Sequence, residues 1–237
     1  MNAPELLAGT SGFSYKEWKG PFYPEDLPAA KMLAYYAEHL PAVEINNTFY
    51  RMPKREVLAT WAGSVPGSFR FSIKASRRIT HFKRLKECGE EIGYLAGQLE
   101  ALGDRLGVVL FQLPPQLAAD LERLRTFLAE LPADLPAAFE FRHPSWFDAA
   151  VLDALRERGC PLCVADTEEG EDAPLEATAD WGYLRLRRPD YDDEALAAWA
   201  RRLGGLGWKR AFVFFKHEDE GAGPRMAARF LELAREG

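Results

Sequence analysis

The segment Ala137-Ala138-Phe139-Glu140-Phe141-Arg142 alternates aromatic with ionic side chains, and Val43-Glu44-Ile45-Asn46 repeats the pattern with aliphatic ones. Successive side chains of a strand point to opposite faces. Parallel strands covered by helices need an apolar outer face. Phe139, Phe141, Val43 and Ile45 therefore belong under helices, and Glu140, Arg142, Glu44 and Asn46 on the other side. The same alternation sets Phe71 and Ile73 against Ser72 and Lys74, and Leu184 and Leu186 against Tyr183, Arg185 and Arg187. A charge deep in a closed lumen is costly unless paired. These ionic residues fall late in their segments, which points to the C-terminal mouth of a barrel, where such folds build their sites.

Working outward, eight apolar segments read as strands: Leu6–Thr10, Ala42–Asn47, Phe69–Lys74, Leu106–Gln112, Ala137–Arg142, Pro161–Asp166, Trp181–Arg187 and Arg210–Lys216. Their starts lie roughly 20 to 37 residues apart, the spacing of β/α units. Eight units predict a single (β/α)8 TIM-type barrel over residues 1–237, with an open doubly wound sheet as the rival. Between them, Leu85, Cys88, Ile92, Leu95, Leu99 and Leu102 mark one face of a helix over about Lys83 to Leu102. Asp120 suits the cap of a second helix, Asp192 or Asp193 that of a third, and Pro224 the first turn of the last. Thr167 to Ala177 is acidic and loop-like.

The mouth then collects Glu44, Asn46, Lys74, Gln112, Glu140, Arg142, Asp166, Arg185 and Lys216. His81, His143 and His217 follow candidate strands on the same side, as do Trp18, Tyr23, Phe49, Tyr50 and Trp146, aromatics suited to walling a pocket. His39, before Pro41, reads as a helix-end or surface residue. Lys74, Arg77 and Arg78 before Ile79-Thr80-His81 suit a phosphate or carboxylate, or a solvated basic loop. No HxH or HExxH spacing is present, and the cations oppose a divalent ion, so no metal is expected. No GxGxxG, P-loop or GxSxG is found, and no cofactor is expected. Cys160-Pro161-Leu162-Cys163 leads into an apolar strand, which favours buried cysteines over a redox pair.

The chain carries 30 Lys and Arg against 36 Asp and Glu, a formal net charge of −6, which does not favour broad nucleic-acid binding, although a local basic cleft stays open. Its three cysteines suit a reducing compartment. With no secretory signal and no long apolar run, a cytoplasmic protein without membrane contact is expected.

The combination of segments resembles the YecE-like family of bacterial and archaeal proteins. The resemblance rests on Gly9-Thr10-Ser11-Gly12-Phe13-Ser14-Tyr15 with Trp18 and Phe22-Tyr23-Pro24, on residues 43–51, on Lys74 through His81, and on Leu110-Phe111-Gln112-Leu113-Pro114-Pro115. Residues 140–147, Asp166, Tyr183 with Arg185, and Phe215-Lys216-His217 complete it. It implies a TIM-type barrel and no particular activity. It also implies a glycine-containing turn after the seventh strand, where this chain has Arg187-Arg188-Pro189-Asp190.

The function that follows is an enzyme acting on a small polar or anionic, sugar- or phosphate-like ligand by acid/base chemistry. Glu44, Glu140, Asp166, His81 and His143 are the expected catalytic residues. Asn46, Tyr50, Lys74, Gln112, Arg142, Trp146, Tyr183, Arg185 and Lys216 are expected to bind the ligand. The alternatives are a metal-dependent nuclease or isomerase on a related barrel, and a non-catalytic ligand-binding protein.

Overall fold

A computed structural model describes residues 3–216 and 219–236; His217 lies outside them. The fold is mixed α/β, built on one curled, mostly parallel sheet of nine strands. These are β1 (Glu5–Ser11), β2 (Ala42–Ile45), β3 (Arg70–Lys74), β4 (Leu106–Gln112), β5 (Ala137–Glu140), β6 (Cys163–Thr167), β7 (Gly170–Glu171), β8 (Trp181–Leu186) and β9 (Arg210–Phe215). In space they run β5-β4-β3-β2-β1-β9-β8-β6-β7. All eight expected strands are present, their ends shifted by at most two residues.

Two features depart from eight complete β/α units. The ends of the parallel run, β5 and β6, meet at a single bridge between Phe139 and Leu162, where the Phe139 amide donates to Pro161 (3.0 Å). No α-helix follows β6; the chain folds back as the antiparallel β7 and then loops to β8. The other crossovers carry α1 (Met32–His39), α2 (Arg55–Gly63), α3 (Gly89–Leu99), α4 (Leu121–Glu130), α5 (Ala149–Arg158) and α6 (Asp193–Gly204), and α7 (Ala222–Glu236) follows β9. Asp120 and Asp192 cap α4 and α6 through the amides of Arg123 and Ala195. The helix expected from Lys83 is shorter. Arg84, Leu85 and Glu87 have positive φ, so Leu85 and Cys88 reach the core from a tight irregular turn rather than a helical face.

Side-chain parity holds on the strands where it was legible. Val43, Ile45, Phe71, Ile73, Phe139, Phe141, Leu184 and Leu186 lie in one buried core with the helix residues. A second, smaller apolar cluster fills the inside of the curl with Leu7, Ala42, Val108, Leu110, Ala138, Cys163, Tyr183, Phe212 and Phe214. Ser11, Glu44, Ser72, Gln112, Glu140 and Arg185 are buried at later positions of the same inward parity.

Between β1 and β2 the hydroxyl of the buried Tyr36 stands in for a strand hydrogen bond. It accepts from the Thr10 amide (2.8 Å) and donates to the Ala42 carbonyl (2.9 Å). A Cβ at Gly9 would overlap that carbonyl, so glycine is required there. Tyr36→Phe strands both backbone groups and is expected to lower unfolding stability by about 1–3 kcal/mol in urea titrations. A change below about 0.5 kcal/mol would show that the ladder closes without the hydroxyl.

Candidate functional site

Strands β1, β2, β4, β5 and β8 deliver their inward C-terminal residues to one buried ionic network. Glu44 Oε1 accepts from Ser11 Oγ (2.7 Å), Asn46 Nδ2 (2.8 Å) and Arg185 Nη2 (2.9 Å). Its Oε2 accepts from the Tyr183 hydroxyl (2.7 Å), whose oxygen in turn receives the Ser72 hydroxyl (2.6 Å). Arg185 turns its other Nη to Glu140 Oε2 (2.9 Å), and Glu140 Oε1 accepts from Gln112 (2.7 Å) and Arg142 Nε (3.0 Å). One guanidinium thus bridges two carboxylates that are both fully buried.

Burial alone would raise both carboxyls. For Glu44, the charge of Arg185 and the Tyr183, Ser11 and Asn46 donors outweigh it and hold the group below its ordinary value. For Glu140, Arg185, Arg142 and Gln112 bring it down to about 2. A carboxylate with its lone pairs engaged and so little proton affinity is a poor base at neutral pH. Glu44 holds Arg185 in place, and Glu140 holds both Arg185 and Arg142.

Above this layer the cations exceed the anions. Lys74 is half-buried with Nζ 4.5 Å from the Phe49 ring centroid, and Arg187 is half-buried at the end of β8. Neither makes a side-chain hydrogen bond or ion pair with a described residue. Burial, then the charge of Arg185, lowers Lys74 to about 8, and the same two causes lower Arg187. Burial, then Lys74 and Arg142, lower His81, whose Nδ1 lies 2.9 Å from Thr80 Oγ1 and whose ring stands edge-on to Phe49.

Asp172, after β7, also belongs here, although the sequence marked its loop only as acidic. Its carboxylate accepts from the Ala165 amide (2.7 Å) and its own amide donates to the Ala165 carbonyl (3.0 Å), so it clips onto the edge of β6. Burial raises it to about 6, with Glu140 adding to the rise. Among the described carboxyls with a resolved shift, this one titrates near neutrality. Beside the network lies a cleft of about 420 Å³ lined by Ser11, Gly12, Phe13, Tyr15, Asn46 and Trp61 among others.

Of the expected catalytic and ligand-binding residues, Glu44, Asn46, Lys74, Gln112, Glu140, Arg142, Tyr183 and Arg185 come together, with His81 at their edge, while Trp18 and Tyr23, expected to wall the pocket, are buried in the core. Five of the catalytic and ligand-binding set do not. Asp166 has the parity of Val164, which packs outward, and its buried carboxylate is bound by Arg188 (2.8 Å), Tyr191 (3.0 Å) and Trp199 (3.2 Å). His143 caps the turn at Pro144–Trp146, its Nδ1 2.8 Å from Ser145 Oγ. Trp146 is fully buried, stacked on Phe141 at 4.5 Å and bonded to the Leu117 carbonyl (2.7 Å). Tyr50 and Lys216 are exposed. Cys160 and Cys163 are free, buried thiols, raised by burial to about 11 for Cys160 and further for Cys163. Among the described residues no three His, Cys, Asp or Glu side chains are grouped to hold a metal ion, and no helix is long and apolar enough to cross a membrane.

The family, curated relatives and solved structures most informative for this chain are these. The family described as "Protein of unknown function DUF72" matches residues 7–237. The chain is 32% identical over 138 residues to the UPF0759 protein YecE of Escherichia coli K12, a match covering 56% of this chain and 51% of that protein, so it spans about half of that relative. It is 24% identical to the UPF0759 protein YunF of Bacillus subtilis over 84% of this chain and 74% of that protein. A solved DUF72 family protein from Thermotoga maritima superimposes with a TM-score of 0.85 at 28% identity, over 98% of this chain and 99% of the other. One from Enterococcus faecalis does so at 0.78 and 20% identity, over 97% and 95%, and speaks for the fold alone.

Proposed function

Given that the chain belongs to the DUF72 family, we propose that it is an enzyme with its site at the mouth of a closed eight-stranded barrel, acting on a small anionic, polyhydroxylated substrate by proton transfer. The observation that carries this reading is the pair Lys74 and Arg187, two half-buried cations without an anionic partner among the described residues, standing beside Arg142. Holding them there costs stability that a bound carboxylate or phosphate would return. Closure is supported by the eight parallel strands and the Phe139–Leu162 bridge.

Roles follow from the geometry. Lys74, Arg142 and Arg187 take the anionic group. Asn46 and the cleft beside Ser11 take hydroxyls. Asp172, raised by burial to about 6, and His81, an imidazole that burial, then Lys74 and Arg142, hold below its ordinary value, are the proton-transfer groups, since both stand at the network and neither is locked in an ion pair among the described residues. Glu44 and Glu140 position the cations.

The test is thermal stabilisation by sulfate and by glycolate, whose charges stay constant above neutrality. Both anions are expected to raise Tm, and the rise is expected to shrink between about pH 7 and 9.5, as Lys74 loses its proton near 8. Stabilisation no greater than that given by a neutral polyol at equal concentration would end this reading.

A further inference from the structure

Beyond the small-molecule site, one face of the molecule has unused features of its own. The large apolar residues most open to solvent are Tyr50 (69% exposed), Phe82 (68%), Tyr94 (58%) and Val57 (41%), all within one stretch of chain. Tyr50, Val57 and Tyr94 line a groove of about 970 Å³ with Met52, Pro53 and Trp61. Rings this open to water bury little area in the fold, and they are what a stacking surface requires.

The charge of the same stretch is opposite to that of the chain. Residues 47–95 carry ten Lys and Arg against four Glu, in a protein with 30 against 36 overall. Glu91 is already matched by Arg78 (2.8 Å) and Lys83 (2.7 Å). Arg51, Lys54 and Arg77 are exposed and form no ion pair among the described residues.

Rings and cations also alternate in space. Lys74 lies 4.5 Å from the Phe49 centroid, Phe49 packs edge-on to Tyr50 at 5.0 Å, and the Arg77 guanidinium is 5.3 Å from both the Tyr50 and Phe82 rings. The row begins at the mouth and runs outward past the groove. Aromatic faces spaced by unpaired cations match the chemistry of bases and phosphates along a single strand, whereas a duplex hides its base faces.

We infer that the face carrying Tyr50, Arg77, Phe82 and Tyr94 binds single-stranded nucleic acid, with bases on the rings and phosphates on Arg51, Lys54 and Arg77. The net acidity of the chain is compatible with this, because the basic residues are segregated onto one face.

Fluorescence anisotropy with a labelled mixed-sequence 12-mer, as RNA, as DNA and as DNA duplex, tests it. Either single strand is expected to bind more tightly than the duplex, and affinity is expected to fall as salt rises. The RNA and DNA arms show whether the 2′-hydroxyl is read. Tyr50→Ala and Phe82→Ala are each expected to weaken single-strand binding by about 5- to 100-fold. Arg77→Glu is expected to weaken it and flatten the salt dependence. These side chains are exposed, so Tm and the anion response of the small-molecule site are expected to be unchanged, which separates this inference from the proposed function. No binding at low salt, or binding equal for duplex and indifferent to Tyr50→Ala and Phe82→Ala, overturns it.

Discussion

Arg185→Met is expected to lower unfolding stability by about 3–5 kcal/mol at pH 7, and the deficit is expected to narrow as the solution is acidified. Arg185 neutralises two fully buried carboxylates at once, with 2.9 Å contacts to each. Its removal leaves Glu44 and Glu140 charged in a dry interior with only neutral donors and the half-exposed Arg142. The pH dependence has a definite sign. In the parent, Glu140 titrates near 2, below its ordinary value, so its contribution is present at neutral pH and is lost as pH falls toward 2. In the variant, burial without Arg185 lifts both carboxyls above the ordinary carboxylate range. Their cost is then present at neutral pH and relieved as they protonate. Both trends close the gap on acidification.

Neutralising the whole group has a different outcome. Combining Arg185→Met with Glu44→Gln and Glu140→Gln removes the stranded charges, and most of the lost stability is expected to return. Urea titrations from about pH 7 to 4 measure both variants. A loss under about 1 kcal/mol for Arg185→Met, or one that does not change with pH, would mean that Arg185 does not hold the two carboxylates together.

How much of this was legible in the sequence depended on contrast between neighbouring residues. In Phe139-Glu140-Phe141-Arg142 and in Leu184-Arg185-Leu186-Arg187 the two parities differ sharply, and the structure honours the reading. In Cys163-Val164-Ala165-Asp166 both parities are small or apolar, so the alternation carries no phase. Asp166 was assigned inward by its position late in the strand. Its outward partners, Tyr191 and Trp199, lie 25 and 33 residues on and become visible only in three dimensions.

His143 and Trp146 show a different ambiguity. Polar or aromatic residues just after a strand serve a site or the loop that frames it, and here His143-Pro144-Ser145 forms a local cap that already uses the imidazole. Asp172 left no local signal at all. It reaches the site because β7 folds the loop back onto β6, a pairing of two residues too short to show as alternation. Arg187 shares the inward parity of Arg185 but was not gathered with the other mouth residues. Its lack of a partner is a property of the assembled mouth.

That lack of partners gives Lys74 and Arg187 an unusual expected phenotype. Lys74→Met is expected to stabilise the unliganded protein at pH 7, on the order of 1–3 kcal/mol, because it removes a cation that burial and Arg185 hold at about 8. With the folded value below the ordinary 10.5, the unfolded chain binds the proton more tightly. The cost is therefore full below about 8 and fades as pH rises toward 10.5, so the advantage of Lys74→Met is expected to fade over the same window. Arg187→Met is expected to stabilise in the same direction, without that fading, since arginine stays charged throughout. In return, each substitution is expected to weaken anion binding about tenfold or more, the scale of one charge-assisted hydrogen bond. If both cations grip the same anion, the losses in the double variant will not simply add, and calorimetric titration with sulfate reads that coupling. Gaining stability while losing the ligand is the mark of residues kept for binding rather than for the fold. Variants that lose stability at pH 7 and still respond to sulfate like the parent would make Lys74 and Arg187 ordinary structural cations, and the anionic substrate would lose its support.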